Sequence, residues 1–109
     1  MKHERTKATE IPKEVKQAVW ERDGQRCIYC KRWVPMVFAN SHFIKRSQGG
    51  LGIVWNIVTG CPDCHDRYDT YEHRKMYAYT KKYLISKHAH EGWDINKLVY
   101  DKYKKEEEI

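Results

Sequence analysis

The fold is decided by residues 27–69, which read CIYCKRWVPMVFANSHFIKRSQGGLGIVWNIVTGCPDCHDRYD. This stretch begins with one CxxC pair, Cys27 and Cys30, and carries a second pair, Cys61 and Cys64, near its end. A CxxC turn lets two sulfur atoms point at one ion, and two such turns complete a tetrahedral zinc site. Because all four cysteines of the chain stand in these pairs, we predict one structural zinc ion bound by four thiolates.

Two redox-active CxxC pairs are the alternative. No thioredoxin-like pattern of strand, CxxC and helix surrounds either pair, which disfavours redox chemistry. The sequence also shows no signal-peptide pattern and no apolar run of transmembrane length, so we expect a cytoplasmic protein with no membrane partner. In that compartment paired thiols are more often metal ligands than disulfides.

The segment between the cysteine pairs carries polar residues that a plain zinc finger does not need. His42 and Asn56 each precede a short apolar run of strand type, at residues 43–44 and 57–58. His65 directly follows the last cysteine, at the predicted start of a helix. The local order is therefore strand, loop, strand and helix.

In their order and spacing, His42, Asn56 and His65 resemble the three residues after which the HNH endonucleases are named. The paired glycines of the loop and the CPDCH ending are also similar to that family, and the resemblance covers roughly residues 15–71. It implies an α+β fold, namely a small ββα-metal (His-Me finger) motif with a four-cysteine zinc knot and flanking helices. The small chain is similar to the stand-alone HNH proteins of bacteriophages, which implies the host-cell cytoplasm.

The resemblance implies a metal-dependent endonuclease that hydrolyses DNA phosphodiester bonds and nicks one strand. His42 would act as the general base, since a histidine can accept a proton from water at neutral pH. Asn56 would hold the loop and orient His42. His65 would bind the catalytic divalent metal, for which Mg²⁺, Mn²⁺, Ni²⁺ and Zn²⁺ are all candidates.

One position departs from the family pattern. Relatives often have Asp or His as a metal ligand just before the general base, whereas this chain has Ser41, whose neutral hydroxyl is a weak ligand. Asp69 follows His65 by four residues, so both lie on the same side of a helix. Asp69 and Ser41 are therefore the candidates for completing the catalytic metal site.

The charge of the chain favours a nucleic-acid partner. The net charge is +6 and the pI is about 9.1, which suits the phosphate backbone of double-stranded DNA. Residues 45–52, hereafter the basic loop, combine cations with glycines, and Lys45 and Arg46 are the candidate phosphate contacts. An ordinary mobile loop with solvated charges is the alternative. The resemblance to phage proteins adds terminase subunits as candidate partners, and we expect a monomer or a weak dimer.

The 109 residues predict one domain with three parts. Residues 1–10 are polar and charged and predict a mobile basic tail. The resemblance implies that residues 11–71 form an HNH domain with its zinc knot, and we expect residues 72–109 to form a C-terminal helical extension.

Hydrophobic periodicity predicts three helices outside the central motif. The first spans residues 11–22, with Pro12 in its first turn and Gly24 after its end. The second lies within residues 71–88. The third is capped by Asp94 and runs to about residue 103.

A second function class also fits the sequence. A non-catalytic, zinc-containing DNA-binding module could assist a phage DNA-processing complex, and Ser41 would then reflect the loss of a catalytic metal. Such a module would not need His42, Asn56 and His65 together, and all three are present. The sequence therefore favours the nuclease.

Overall fold

Short helices and one small sheet make up residues 4–100, which the computed structural model describes. The regular elements are α1 (Glu4–Thr9), α2 (Lys13–Arg22), β1 (Ser41–His42), β2 (Ile57–Val58), α3 (Pro62–Asp69) and α4 (His73–His88). Single 3₁₀ turns lie at Met36–Phe38, Arg46–Gln48, Ala89–Glu91 and Ile95–Lys97. Within this part of the chain, no helix is long and apolar enough to span a bilayer.

The sheet is an antiparallel pair in which Ser41 lies opposite Val58 and His42 opposite Ile57. Helix α3 follows β2 after three residues, so the predicted order of strand, loop, strand and helix is confirmed. The molecule is thus a small α+β domain that holds a two-stranded antiparallel sheet and a cluster of four cysteines.

Strand β2 is buried on both faces. Successive strand residues point to opposite sides, so Ile57 packs with Val19 of α2 while Val58 packs with Leu84 of α4. Phe43, which directly follows β1, joins the same cluster as Val58. The sheet is therefore fixed between the two longest helices, and α4 supplies core side chains to the central motif.

The helix predicted for residues 11–22 is observed as α2, and Gly24 after it adopts a left-handed conformation with φ of 72°. The helix predicted within residues 71–88 is observed as α4. The helix predicted for residues 94–103 is wrong in its described part. The Asp94 side chain accepts from the Asn96 amide, but the turn ends at Lys97; residues 101–103 lie outside the described part.

The mobile tail predicted for residues 1–10 overlaps a short helix in the described part of the chain. Residues 1–3 lie outside that part, and residues 4–9 form α1. The Ala8 carbonyl accepts a hydrogen bond from the Gly52 amide at 3.0 Å. This contact joins α1 to the basic loop, which a reading of local composition does not reveal.

Residues 98–100, at the C-terminal end of the described part of the chain, also form hydrogen bonds with the basic loop. The Tyr100 amide donates to the Gly49 carbonyl at 2.7 Å, and the Leu51 amide donates to the Leu98 carbonyl at 2.8 Å. Residues close to both ends of the described chain therefore meet on one loop.

A buried ion pair joins α2 to the sheet and to α4. The Asp23 carboxylate has no exposed surface and receives a two-pronged interaction from the neighbouring Arg22, with N–O distances of 2.8 and 3.1 Å. It also accepts from the Thr59 amide at 2.8 Å and from the Tyr83 hydroxyl at 2.6 Å. Arg22 itself donates to the Ile57 carbonyl at 2.8 Å.

We expect Asp23→Ala to lower the free energy of unfolding by about 3–5 kcal/mol, because it leaves the mostly buried Arg22 without its counter-charge. Asp66→Ala removes an exposed carboxylate from α3 and should change stability by less than about 0.5 kcal/mol. Urea unfolding followed by circular dichroism measures both. Equal stability of the two variants would show that the Asp23 network contributes little.

Candidate metal centre and active-site cleft

The four cysteines form one cluster. Their sulfur atoms all lie within 4.8 Å of one another, and the Cys30 and Cys61 sulfurs are 3.7 Å apart. Zn–S bonds of 2.3 Å in a tetrahedron place sulfurs about 3.8 Å apart, so the cluster has the dimensions of a zinc site. The predicted four-cysteine cluster is confirmed as a group that could bind a metal and is consistent with structural zinc.

Hydrogen bonds hold the turn around each cysteine pair. In the first turn the Cys27 amide donates to the Arg32 carbonyl at 2.9 Å. In the second, Cys61 precedes α3 and its sulfur accepts from the Cys64 amide at 3.4 Å. The Cys61 sulfur is thus held at the start of α3 by a backbone amide.

The protonation of the thiols is uneven. Burial raises the pKa of Cys27 and of Cys64. Burial also acts to raise the pKa of Cys30, but hydrogen bonds from Arg32 and the neighbouring cysteines outweigh it and lower that pKa to about 6. Metal binding would therefore displace protons from the buried thiols, which is the usual behaviour of thiolate sites.

The cysteine cluster sets the position of α3 beside the sheet, and a cleft opens between them. The cleft has a volume of about 740 Å³. Its walls are formed by Glu10, Ile11, Lys16, Asn40, His42, Lys45, Arg46, Ser47, His65 and Asp69. Two of the three residues predicted as catalytic, His42 and His65, thus line one space, together with both predicted phosphate contacts.

His42 ends β1 and is half-buried in the cleft wall. Its Nε2 lies 2.9 Å from the Thr9 carbonyl oxygen of α1. Burial lowers the pKa of His42 below its ordinary value, and the nearby Arg46 and His65 side chains lower that pKa further. Hydrogen bonding to the Thr9 and Asn40 carbonyls acts in the opposite direction but does not outweigh burial. At neutral pH the ring is therefore neutral and able to accept a proton.

His65 and Asp69 stand one helical turn apart on α3. The His65 Nε2 lies 3.4 Å from an Asp69 oxygen, and the side chains are 40% and 45% exposed. Lys45 of the basic loop approaches the other Asp69 oxygen at 3.8 Å. One imidazole and one carboxylate thus face the cleft side by side, as the sequence predicted from their spacing.

Ser41 does not join them, which corrects its assignment as a candidate metal ligand. It precedes His42 in β1, so its side chain points to the opposite face of the strand. There it is buried beside Gly60, where a Cβ atom would lie 2.9 Å from its hydroxyl oxygen. Across residues 4–100, the cysteine cluster is the one group of three or more His, Cys, Asp or Glu side chains arranged to bind a metal.

Asn56 lies behind the cleft wall rather than in it. Its fully buried side-chain oxygen accepts from the Ile44 amide at 2.8 Å, and its nitrogen donates to the carbonyls of Ile44 and Leu51 at 3.1 and 2.9 Å. The link to His42 runs through the backbone, since the Phe43 amide donates to the Asn56 carbonyl at 2.7 Å. The Asn56 amide group therefore ties the two ends of the basic loop together.

Sequence reasoning missed the contribution of the N-terminal segment. Glu10, Ile11 and Lys16 line the cleft, and Thr9 contacts the His42 ring. The contacts of Thr9 depend on tertiary packing and leave no local pattern.

Comparison with protein-family models, curated proteins and solved structures finds no match to this chain.

The zinc content of the purified protein tests the assignment of the cysteine cluster as a metal site. We expect the purified protein to contain one zinc ion per chain, and Cys27→Ser to lose it with a marked fall in melting temperature, because thiolate ligation contributes folding free energy. His65→Ala should keep that ion, since His65 lies outside the cluster. Elemental analysis with thermal melts measures both, and a Cys27→Ser variant that retains zinc and stability would contradict the assignment.

The bonds donated by the Asn56 side chain predict that a substitution of the same shape lowers the stability of the protein. Asn56→Asp cannot donate to the Ile44 and Leu51 carbonyls, so we expect a loss of at least about 2 kcal/mol in the free energy of unfolding. Asn96→Asp, at an exposed site, is the matched control. Urea denaturation at neutral pH compares the two, and similar midpoints would mean that the Asn56 amide is dispensable.

Proposed function

We propose that this protein is an endonuclease of the HNH type, with a ββα-metal fold, that hydrolyses DNA phosphodiester bonds in a metal-dependent reaction. The observation that carries the proposal is the position of His42 and His65 in one basic cleft, between a two-stranded sheet and a helix attached to the cysteine cluster. A merely structural zinc finger has no use for such a cleft.

Hydrolysis of a phosphodiester needs a base for the attacking water and stabilisation of the charge that develops on the phosphate. The neutral ring of His42 supplies the base: it takes the proton of the water whose oxygen attacks phosphorus. The 3′ oxygen then leaves with the electron pair of the broken P–O bond. Lys45 and Arg46 lie in the same cleft, where their charges favour the phosphate.

His65 and Asp69 are the residues that would hold a divalent metal. Their nitrogen and oxygen donors fit Mg²⁺, Mn²⁺, Ni²⁺ or Zn²⁺, provided that water completes the ligand set. When bound, such an ion supplies Lewis-acid stabilisation of the phosphate and of the leaving oxygen. His65 and Asp69 already lie 3.4 Å apart at their nearest polar atoms, so the chain itself brings this pair together.

The protein contacts DNA mainly through the phosphate backbone of the nucleic acid. Lys16 of α2 adds a third cation to the cleft opposite the basic loop, and the chain carries a net charge of +6. One cleft cuts one strand, so we expect nicking; a double-strand cut would need dimerisation or two sequential events. A partner such as a phage terminase subunit would supply sequence specificity.

The second candidate is a non-catalytic DNA-binding zinc module. It is favoured by the small number of candidate metal ligands. Of the three proposed ligands, His65 and Asp69 line the cleft and Ser41 does not. A firmly held catalytic ion usually has three or more protein or substrate ligands. The two candidates share the basic surface and differ in cleavage.

Relaxation of supercoiled plasmid separates them. We expect nicking with Mg²⁺, Mn²⁺ or Ni²⁺, none in EDTA, and a loss of about 10²–10⁴-fold in His42→Ala, because the general base is removed. His90→Ala, an exposed histidine on the 3₁₀ turn after α4, is the matched control and should cleave normally.

Two results would contradict the nuclease. DNA binding without cleavage by any metal would establish the binding module. Cleavage that persists in His42→Ala would show that His42 is not the base, or that a contaminant cuts the plasmid.

A further inference from the structure

Helix α1 is fastened to the basic loop by backbone-directed bonds. Arg5 donates through Nη2 to the Ser47 carbonyl at 2.9 Å and approaches the Arg46 carbonyl at 3.4 Å. At the other end of the helix, the Gly52 amide donates to the Ala8 carbonyl. A Cβ atom at residue 52 would overlap the Glu10 carbonyl, so the two segments are in close backbone contact.

Through these contacts, α1 places the Thr9 carbonyl against His42, the proposed general base. Thr9 is buried, and its carbonyl oxygen lies 2.9 Å from the His42 Nε2. A carbonyl can only accept a hydrogen bond, so Nε2 is the nitrogen that carries the proton. The Asn40 carbonyl also acts on the His42 ring, but more weakly than the Thr9 carbonyl. A neutral imidazole has one N–H, so the Thr9 contact favours the proton on Nε2 and the lone pair on Nδ1.

The Thr9 side chain strengthens the same arrangement. Its hydroxyl donates within α1 to the Arg5 carbonyl at 3.0 Å and lies 3.4 Å from Arg46 Nε. The end of α1 is therefore tied to its own first turn and to the basic loop, and the Thr9 carbonyl has little freedom to move away from His42.

We infer that α1 is part of the active site, with the Thr9 carbonyl fixing His42 as the Nε2–H tautomer and Arg5 acting as the positioning residue that keeps α1 docked. The inference rests on the proposed nuclease function for its catalytic meaning. During hydrolysis the O–H bond of the attacking water breaks and its proton passes to Nδ1. The resulting imidazolium keeps its Nε2–H on the Thr9 carbonyl, which stabilises the positive ring.

The test uses the full chain and three variants of α1. Arg5→Ala removes the bonds to the basic loop, Arg5→Lys keeps a donor for the Ser47 carbonyl, and Lys7→Ala removes an equal charge from an exposed position of the same helix. Nitrogen-15 NMR of the histidine rings at neutral pH reports the tautomer, with the His42 signals assigned by their absence in His42→Ala. Plasmid nicking with Mn²⁺ reports kcat and KM.

We expect wild type and Lys7→Ala to hold His42 as the Nε2–H tautomer, and Arg5→Ala to give a mixture of tautomers. We also expect Arg5→Ala to lose about 10- to 100-fold in kcat with KM nearly unchanged, as for other residues that orient a catalytic group. Arg5→Lys should recover much of the tautomer preference and of kcat.

The inference is overturned if wild-type His42 carries its proton on Nδ1, or if Arg5→Ala leaves the tautomer unchanged. A rise in KM with constant kcat would also overturn it, since Arg5 would then be a DNA contact. If the tautomer shifts as expected but no variant cleaves DNA with any metal, the positioning of His42 by α1 stands and the nuclease proposal fails.

Discussion

The convergence of four sulfur atoms is the constraint on which the rest of the structure depends. It joins the turn after α2 to the first turn of α3, across a segment that contains both strands and the basic loop. Cys27, Cys61 and Cys64 are buried with Val34, Tyr68 and Met76, so the cluster is also one of the small hydrophobic cores. In a chain of this size a core of limited area benefits from a metal that crosslinks distant segments.

The same constraint positions the cleft. His65 follows Cys64 directly, so the direction in which the thiolates hold α3 also fixes the direction of His65. His42 reaches the cleft from the other side through β1, whose partner strand is held between α2 and α4. Asn56 then ties the loop that connects the strands. Each functional side chain is thus attached to a rigid element, which is the usual requirement for a precise site.

The features that sequence predicted are those with local signals. CxxC spacing indicated the cysteine cluster, the separation of His65 and Asp69 placed them on one helix face, and apolar periodicity indicated α2 and α4. The features that it missed depend on contacts between distant residues. Helix α1 and Thr9 are held by bonds to the basic loop. Ser41 points away from the cleft because side chains alternate between the two faces of β1, a strand that the apolar run at residues 43–44 did not reveal. The prediction of a last helix fails in its described part because residues 98–100 run along the basic loop, where Val99 forms a bridge with Gly50.

The bonds that residues 98–100 make to the basic loop have a consequence for biosynthesis. Gly49 and Leu51 are bonded to residues 98–100, while Gly52 and Ser47 are bonded to α1. The loop cannot reach its final geometry until residue 100 has left the ribosome, because half of its partners do not exist before then. A nascent chain can therefore assemble its cysteine cluster well before it has a finished cleft. The order of synthesis therefore delays the final geometry of the cleft until residues 98–100 have emerged.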